Sequence, residues 1–202
     1  KNKLKGSLSL FAATIIWGSA FIAQSVGMEH IGPFTFQAIR CALAVAFLVP
    51  VSFLLDLKTI SPARSAAKWR NPKLWKSGII CGAALFVAAS LQQVGLVYTD
   101  AGKAGFITAL YIIIVPILGI FMKKKVAPIV WVSCVIAVVG FYLLSISGQV
   151  NISKGDILVL ICAVLFSVHI LVIDYFSPKG EGVTISCIQF ITCGILCGIL
   201  MF

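Results

Sequence analysis

The chain has 202 residues, of which 60% are hydrophobic and 11% charged, and its mean hydropathy is +1.10. Soluble chains carry about 25% charged residues, and so few charges leave too little polar surface to clothe a globule of this size in water. A soluble globule is excluded, and lipid is the main solvent. The formal net charge of +10 does not point to nucleic acid, because the basic residues gather at the ends of apolar runs, where they orient helices.

In chain order, apolar runs over residues 8–26, 34–55, 77–98, 104–122, 127–144, 157–176 and 183–202 predict seven transmembrane helices. The runs do not alternate as the strands of a closed barrel do, so the expected class is an all-α integral membrane protein. Lys1, Lys3 and Lys5 precede the first run. No small-residue cleavage site with a polar domain behind it follows, so that run is kept as a helix and not a signal peptide. The basic stretch 56–76, broken by Pro62 and Pro72, is the one sizeable loop. It reads first as a topology determinant and second as a site for anionic lipid. The seven cysteines, Cys41, Cys81, Cys134, Cys162, Cys187, Cys193 and Cys197, lie inside apolar runs. They read as small hydrophobes, with no disulfide framework implied.

With the N-terminus in the cytoplasm, thirteen lysines and arginines fall inside and two, Lys103 and Lys154, outside, while Arg40 lies within a span. The positive-inside rule therefore orients the chain with a cytoplasmic N-terminus.

The chain also aligns with itself. Placing Lys154-Gly155-Asp156-Ile157 under Lys5-Gly6-Ser7-Leu8 puts Trp17-Gly18 on Phe166-Ser167, Thr35 on Thr184, Arg40 on Gln189, and the turn 27–33 on 176–182. Identities are few, but turn length and polar placement agree without gaps, as in a distant duplication. Five helices separate the copies, so the second enters the membrane from the opposite side. The expected domains are a complete first repeat, 1–153, and a second, inverted repeat, 154–202, cut in its second helix. That corresponds to seven of ten helices in a protein of about 300 residues.

Ile15-Ile16-Trp17-Gly18-Ser19-Ala20-Phe21, Gly32-Pro33-Phe34 through Arg40, Gln93-Val94-Gly95-Leu96-Val97-Tyr98-Thr99, Ala104-Gly105-Phe106-Ile107-Thr108-Ala109-Leu110 and Val115-Pro116-Ile117-Leu118-Gly119 occur in that order. This set resembles the EamA-type transporters of the drug/metabolite transporter superfamily, most of all bacterial inner-membrane members. The resemblance implies two inverted five-helix repeats and a central cavity open alternately to each side, with export or exchange of small metabolites. Many relatives end the fourth helix with Gly-Glu-Arg where this chain has Met122-Lys123-Lys124, so no role is carried over from that glutamate.

Polar side chains in lipid are costly unless they face protein or a water-filled cavity, so polar stripes mark inner faces. The stripes are Thr14, Trp17, Gly18, Phe21 and Ser25 in the first helix, and Gln37, Arg40, Cys41 and Ala44 in the second. The third offers Ala89, Gln92, Gln93 and Tyr98, and the fourth Thr108 and Tyr111. The substrate-binding candidates are Trp17, Gln37, Arg40, Gln92, Gln93, Thr108 and Tyr111. Arg40 lies about 10 Å from the outer end of its helix at ~1.5 Å per residue. Two readings stand: an anchor for an anionic substrate group, or a structural arginine bonded to carbonyls or snorkelling outward. Gln92 and Gln93, about 100° apart, cannot both face lipid cheaply. His169 reads as a hydrogen-bonded packing residue and Asp174 as interfacial. No His, Cys or carboxylate cluster has metal-ligand spacing. No catalytic residue and no cofactor are expected. Gly78-x-x-x-Gly82 and Gly194-x-x-x-Gly198 read as internal packing, with a homodimer seam as the alternative.

The expected function is a secondary transporter of small polar or amphipathic metabolites in the inner membrane. Its partners are the substrate and membrane lipid, and nucleic acid is not among them. A structural or receptor-like membrane protein is the alternative, ahead of an intramembrane enzyme.

Overall fold

The computed structural model describes residues 2–57, 61–124, 126–146, 152–177 and 182–201. Lys1, Lys58, Lys125 and Lys179, four of the basic residues counted for orientation, lie outside the described residues, as does most of the turn 176–182. The described residues form α1 (Asn2–Met28), α2 (Pro33–Leu57), α3 (Pro62–Lys68), α4 (Pro72–Leu96), α5 (Ala101–Ala109), α6 (Tyr111–Phe121), α7 (Pro128–Ile146), α8 (Lys154–Phe176) and α9 (Gly182–Ile199), with no strand among them. Six helical runs are long and apolar enough to cross a membrane, α5 and α6 together making one of them, and α7 adds a shorter apolar segment. The chain is thus an all-α, multi-pass membrane protein.

Local chemistry starts these helices. Pro33, Pro62, Pro72 and Pro128 occupy first positions, where a missing N–H costs nothing. Asn71 caps α4 by accepting from the Lys73 N–H at 3.0 Å. A capping box starts α8: Asp156 N–H donates to Ser153 Oγ at 3.1 Å, and Ser153 N–H donates to Asp156 Oδ2 at 2.8 Å.

α4 is central, packed against α8 and α9, and α9 packs in turn on α2; α5 and α6 lie along α8, while α7 leans on α6. The main core joins Cys41 of α2, Leu85, Ala88 and Ala89 of α4, Cys162 and Phe166 of α8, and Cys193 and Cys197 of α9. All seven cysteines are buried and free, and they fill space as small apolar groups. Glycines allow the close approaches. A Cβ on Gly78 would sit 2.5 Å from Ile188 Cβ, and one on Gly82 would sit 2.6 Å from Thr192 Cβ. The Gly78-x-x-x-Gly82 motif is therefore an internal face against α9. Gly194 likewise faces Cys41, whereas Gly198 has open space.

The fourth apolar run is interrupted by a one-residue turn where the sequence indicates one uninterrupted helix. At Leu110 the bonds tighten, with Leu110 N–H to Ile107 O at 3.1 Å and Ile113 N–H to Leu110 O at 2.9 Å. Two residues flank this turn. Thr108 donates back to Ala104 O at 2.8 Å, a bond that bends helices. Pro116 has no N–H to give Ile112 O and crowds that carbonyl. Cys134 of α7 donates to the same oxygen instead, at 3.8 Å.

Ion pairs sit at helix ends. Lys68 holds Asp56 at 2.6 Å, Lys103 holds Asp156 at 2.5 Å, and Lys124 pairs with Asp174. The last two clamp both ends of α8 to the α5–α6 run. Asp174 is thereby placed at a helix end, in keeping with its interfacial reading.

Candidate functional site

Thr14, Trp17, Gly18 and Phe21 recur at three- and four-residue intervals along α1 and so share one face. That face, with Gly105 and Thr108 of α5 and Tyr111 of α6, lines a half-open cavity of about 350 Å³. Trp17 stacks on Tyr111, with ring centroids 5.7 Å apart and planes 30° apart. Thr108 is buried and accepts from Gln92 Nε2 at 3.1 Å. The tight turn at Leu110 falls between Thr108 and Tyr111, so the helix irregularity lies in the cavity wall. A mostly apolar wall with two aromatic rings and a few hydroxyls suits an amphipathic small molecule.

A second polar cluster lies where α1, α2 and α4 meet. Arg40 Nη1 donates to Gln24 Oε1 at 2.8 Å. Gln93 Nε2 donates to the same oxygen and, at 3.4 Å, to Gln37 Oε1. Gln37 Nε2 reaches the sulphurs of Cys41 and Cys193, each at 3.7 Å. Gln24, Gln37 and Gln93 are each 1% exposed, and Gln93 Oε1 is buried without a partner. Among the described residues no carboxylate pairs with Arg40. Its guanidinium is held by a neutral amide.

The seven candidates therefore fall into two groups. Trp17, Thr108 and Tyr111 line the cavity, and Gln92 stands one hydrogen bond behind it through Thr108. Gln37, Arg40 and Gln93 belong to the second cluster and do not line the cavity. α4 divides the two, because its adjacent Gln92 and Gln93 turn to different neighbours, α5 and the α1–α2 pair. Both glutamines are buried, as two such residues in one span require. Sequence reasoning missed Gln24, the residue that joins Arg40 to Gln93. The signal was present: Gln24 continues the series Thr14, Trp17, Phe21 at the next helical step. His169 is buried, with Nε2 3.2 Å from Gln189 Oε1 and its ring edge-on to Phe166, which makes it a hydrogen-bonded packing residue. No group of three or more metal-ligating side chains occurs among the described residues.

Residues 4–146 match the EamA-like transporter family. The chain belongs to that family. It is also similar to a protein of Archaeoglobus fulgidus named as an uncharacterized transporter, with 36% identity over 179 residues that cover 87% of this chain and 51% of the relative. This member of the EamA-like family thus spans about half the length of the curated relative it matches. No solved structure matches it.

Proposed function

We propose that the protein is a secondary transporter, an exporter or exchanger of small polar or amphipathic metabolites in the inner membrane, with its N-terminus in the cytoplasm. Family membership sets this ahead of a structural protein or an intramembrane enzyme. The observation that carries the reading is the cavity walled by Trp17, Thr108 and Tyr111 at an irregular turn of a spanning helix, the setting in which transporters hold substrates. Arg40 lies outside the cavity lining and supplies the positive charge of the neighbouring polar cluster. A guanidinium within a span costs about 3 kcal/mol on insertion scales, and a neutral partner leaves it able to pair with an anion entering from the α1–α2 side.

The mechanism proposed is alternating access between two inverted repeats, with 1–153 as the first and 154–202 as the start of the second. A polar cross-link in each copy, matched at one end, is in keeping with it. Arg40 bonds Gln24 across α1–α2, and Gln189, which aligns with Arg40, bonds across α8–α9 to His169, which aligns with Ala20 and not with Gln24.

The test is ligand-induced stabilisation in detergent, using a panel of small anionic, zwitterionic and neutral metabolites. A ligand at 100 times its Kd adds about 2.7 kcal/mol, which raises Tm by ~5–10 °C for a chain of this size. The shift should vanish in Trp17→Ala. For anionic ligands it should weaken in Arg40→Lys, which keeps the charge and loses the fork. No stabilisation by any class would remove the cavity as a substrate site. Unchanged affinity in a folded Arg40→Gln would make the arginine structural.

A further inference from the structure

At the corner where α3 passes into α4, a hollow of about 600 Å³ is lined by Trp69, Arg70, Trp75, Lys76, Ile79 and Ile80. Its wall is fixed in place. Trp75 Nε1 donates to Trp69 O at 2.7 Å, and Trp69 stacks on Phe53 of α2 with centroids 5.9 Å apart and planes 18° apart. The Trp69 indole N–H is itself buried without an acceptor.

The hollow grades in polarity along one line. Lys76, Ile79 and Ile80 are at i, i+3 and i+4 and share a face of α4. The cationic end lies in the first turns of a spanning helix, and the apolar end is about 6 Å deeper at ~1.5 Å per residue. Two tryptophans among basic residues at a span's start mark the membrane–water boundary. The local carboxylate is already committed. Asp56 accepts from Lys68 and from Ser65, each at 2.6 Å. Among the described residues Arg70, Lys73 and Lys76 have no carboxylate partner. A cationic mouth above an apolar floor, at the depth of the headgroups, matches one molecule of the surroundings, a lipid with a negative headgroup.

We propose that this hollow binds an anionic glycerophospholipid, its phosphate held by Arg70 and Lys76 and the start of an acyl chain laid along Ile79 and Ile80. The occupant pins α3 against α4 at the membrane boundary. The assignment rests on the membrane reading and not on which side the corner faces.

Native mass spectrometry of the whole purified chain tests this, with short-chain phosphatidylglycerol as the probe and phosphatidylcholine of equal chain length and inorganic phosphate as comparisons. Phosphatidylglycerol should be retained at least about fivefold more tightly than phosphatidylcholine. Arg70→Gln and Lys76→Gln should each weaken it about fivefold, the share of one basic residue near an anionic lipid. Lys73→Gln removes the same charge from an exposed position outside the hollow and should change retention less than about twofold, since the effect requires contact and not net charge. Arg70, Lys73 and Lys76 are exposed, so their loss leaves the fold intact, which circular dichroism verifies. Equal losses in all three variants would replace the site with diffuse attraction and overturn the proposal. So would equal retention of phosphatidylcholine, or displacement of the lipid by millimolar phosphate, which would make the ligand a free anion.

Discussion

Gly155→Ala measures how closely the start of α8 is seated on α4. A Cβ at this position would lie 2.5 Å from Gly95 O, 2.8 Å from the Tyr98 carbonyl carbon and 3.0 Å from Thr99 Cβ. Carbon contacts are comfortable at about 3.5–4.0 Å, and two of these three atoms are backbone, which no rotamer change can move. The start of α8 must therefore retreat by about 1 Å. That movement pulls Asp156 away from Thr99 Oγ1 and Lys103 Nζ, both of which donate to it at 2.5 Å. Overpacking costs about 1–3 kcal/mol and a weakened hydrogen bond about 0.5–1.5 kcal/mol. Alanine's helix propensity returns about 1 kcal/mol. The net loss is about 2 kcal/mol, or a fall in Tm of ~4–8 °C for a chain of this size, read by thermal denaturation in detergent. Gly18→Ala is the internal control. Nothing lies within 4 Å of its Cβ position, so alanine there should leave Tm unchanged or raise it. If Gly155→Ala matches Gly18→Ala, the crossing is looser than described.

Asp156→Ala should cost about 3 kcal/mol, because Thr99, Lys103 and the Ser153 N–H all lose their acceptor. Lys103→Met should cost no more than about 1 kcal/mol, because that side chain is 40% exposed and its loss leaves Asp156 two donors. Equal denaturation midpoints for the two variants would contradict this asymmetry. Tyr111→Ala removes the ring stacked on Trp17, a contact of about 0.5–1.5 kcal/mol, and should weaken ligand-induced stabilisation several-fold in the thermal assay. For orientation, a cysteine at Gly102 should be labelled by an impermeant reagent from outside sealed cells, and cysteines at Ala66 or Lys124 should not. Outside labelling of Ala66 would invert the topology. Finally, an imposed pH gradient alone should drive no concentrative uptake in proteoliposomes.

The spans were legible because lipid leaves so few options. A run of about 20 apolar residues must be a helix, and the described residues of all seven runs are mainly helical. Their ends were less so, since Lys5 and Ser7 extend α1 well beyond its apolar run at no penalty once outside the bilayer. The burial of Gln37, Gln92 and Gln93 was legible for the same reason, as each is costly against lipid. What stayed hidden was which polar residues share a space. The stripes were read helix by helix, whereas the place of α4 between α5 and the α1–α2 pair decides that Gln92 and Gln93 serve different clusters. The turn at Leu110 was also invisible. It depends on Thr108 bonding its own helix and on Pro116 freeing Ile112 O for Cys134, and no periodicity records either.

The expectation about pH follows from where the acids are. Asp56, Asp156 and Asp174 are ion-paired at helix ends. Glu29 and Asp100 lie in the turns that follow α1 and precede α5, and Glu181 lies outside the described residues. Among the described residues no carboxylate occupies the middle of a span, where proton-coupled carriers place theirs. Among the described residues His169 is the histidine at depth, and its Nε2 is already engaged by Gln189 Oε1 in an apolar setting beside Phe166. On the proposed reading the described helices can select and hold a substrate, but they offer no site at which a proton is exchanged for it. On that reading the driving force is the substrate's own gradient or a counter-substrate, unless a coupling site lies outside the described residues. Concentrative uptake driven by pH alone and abolished by His169→Ala would show that the imidazole is a carrier and not packing.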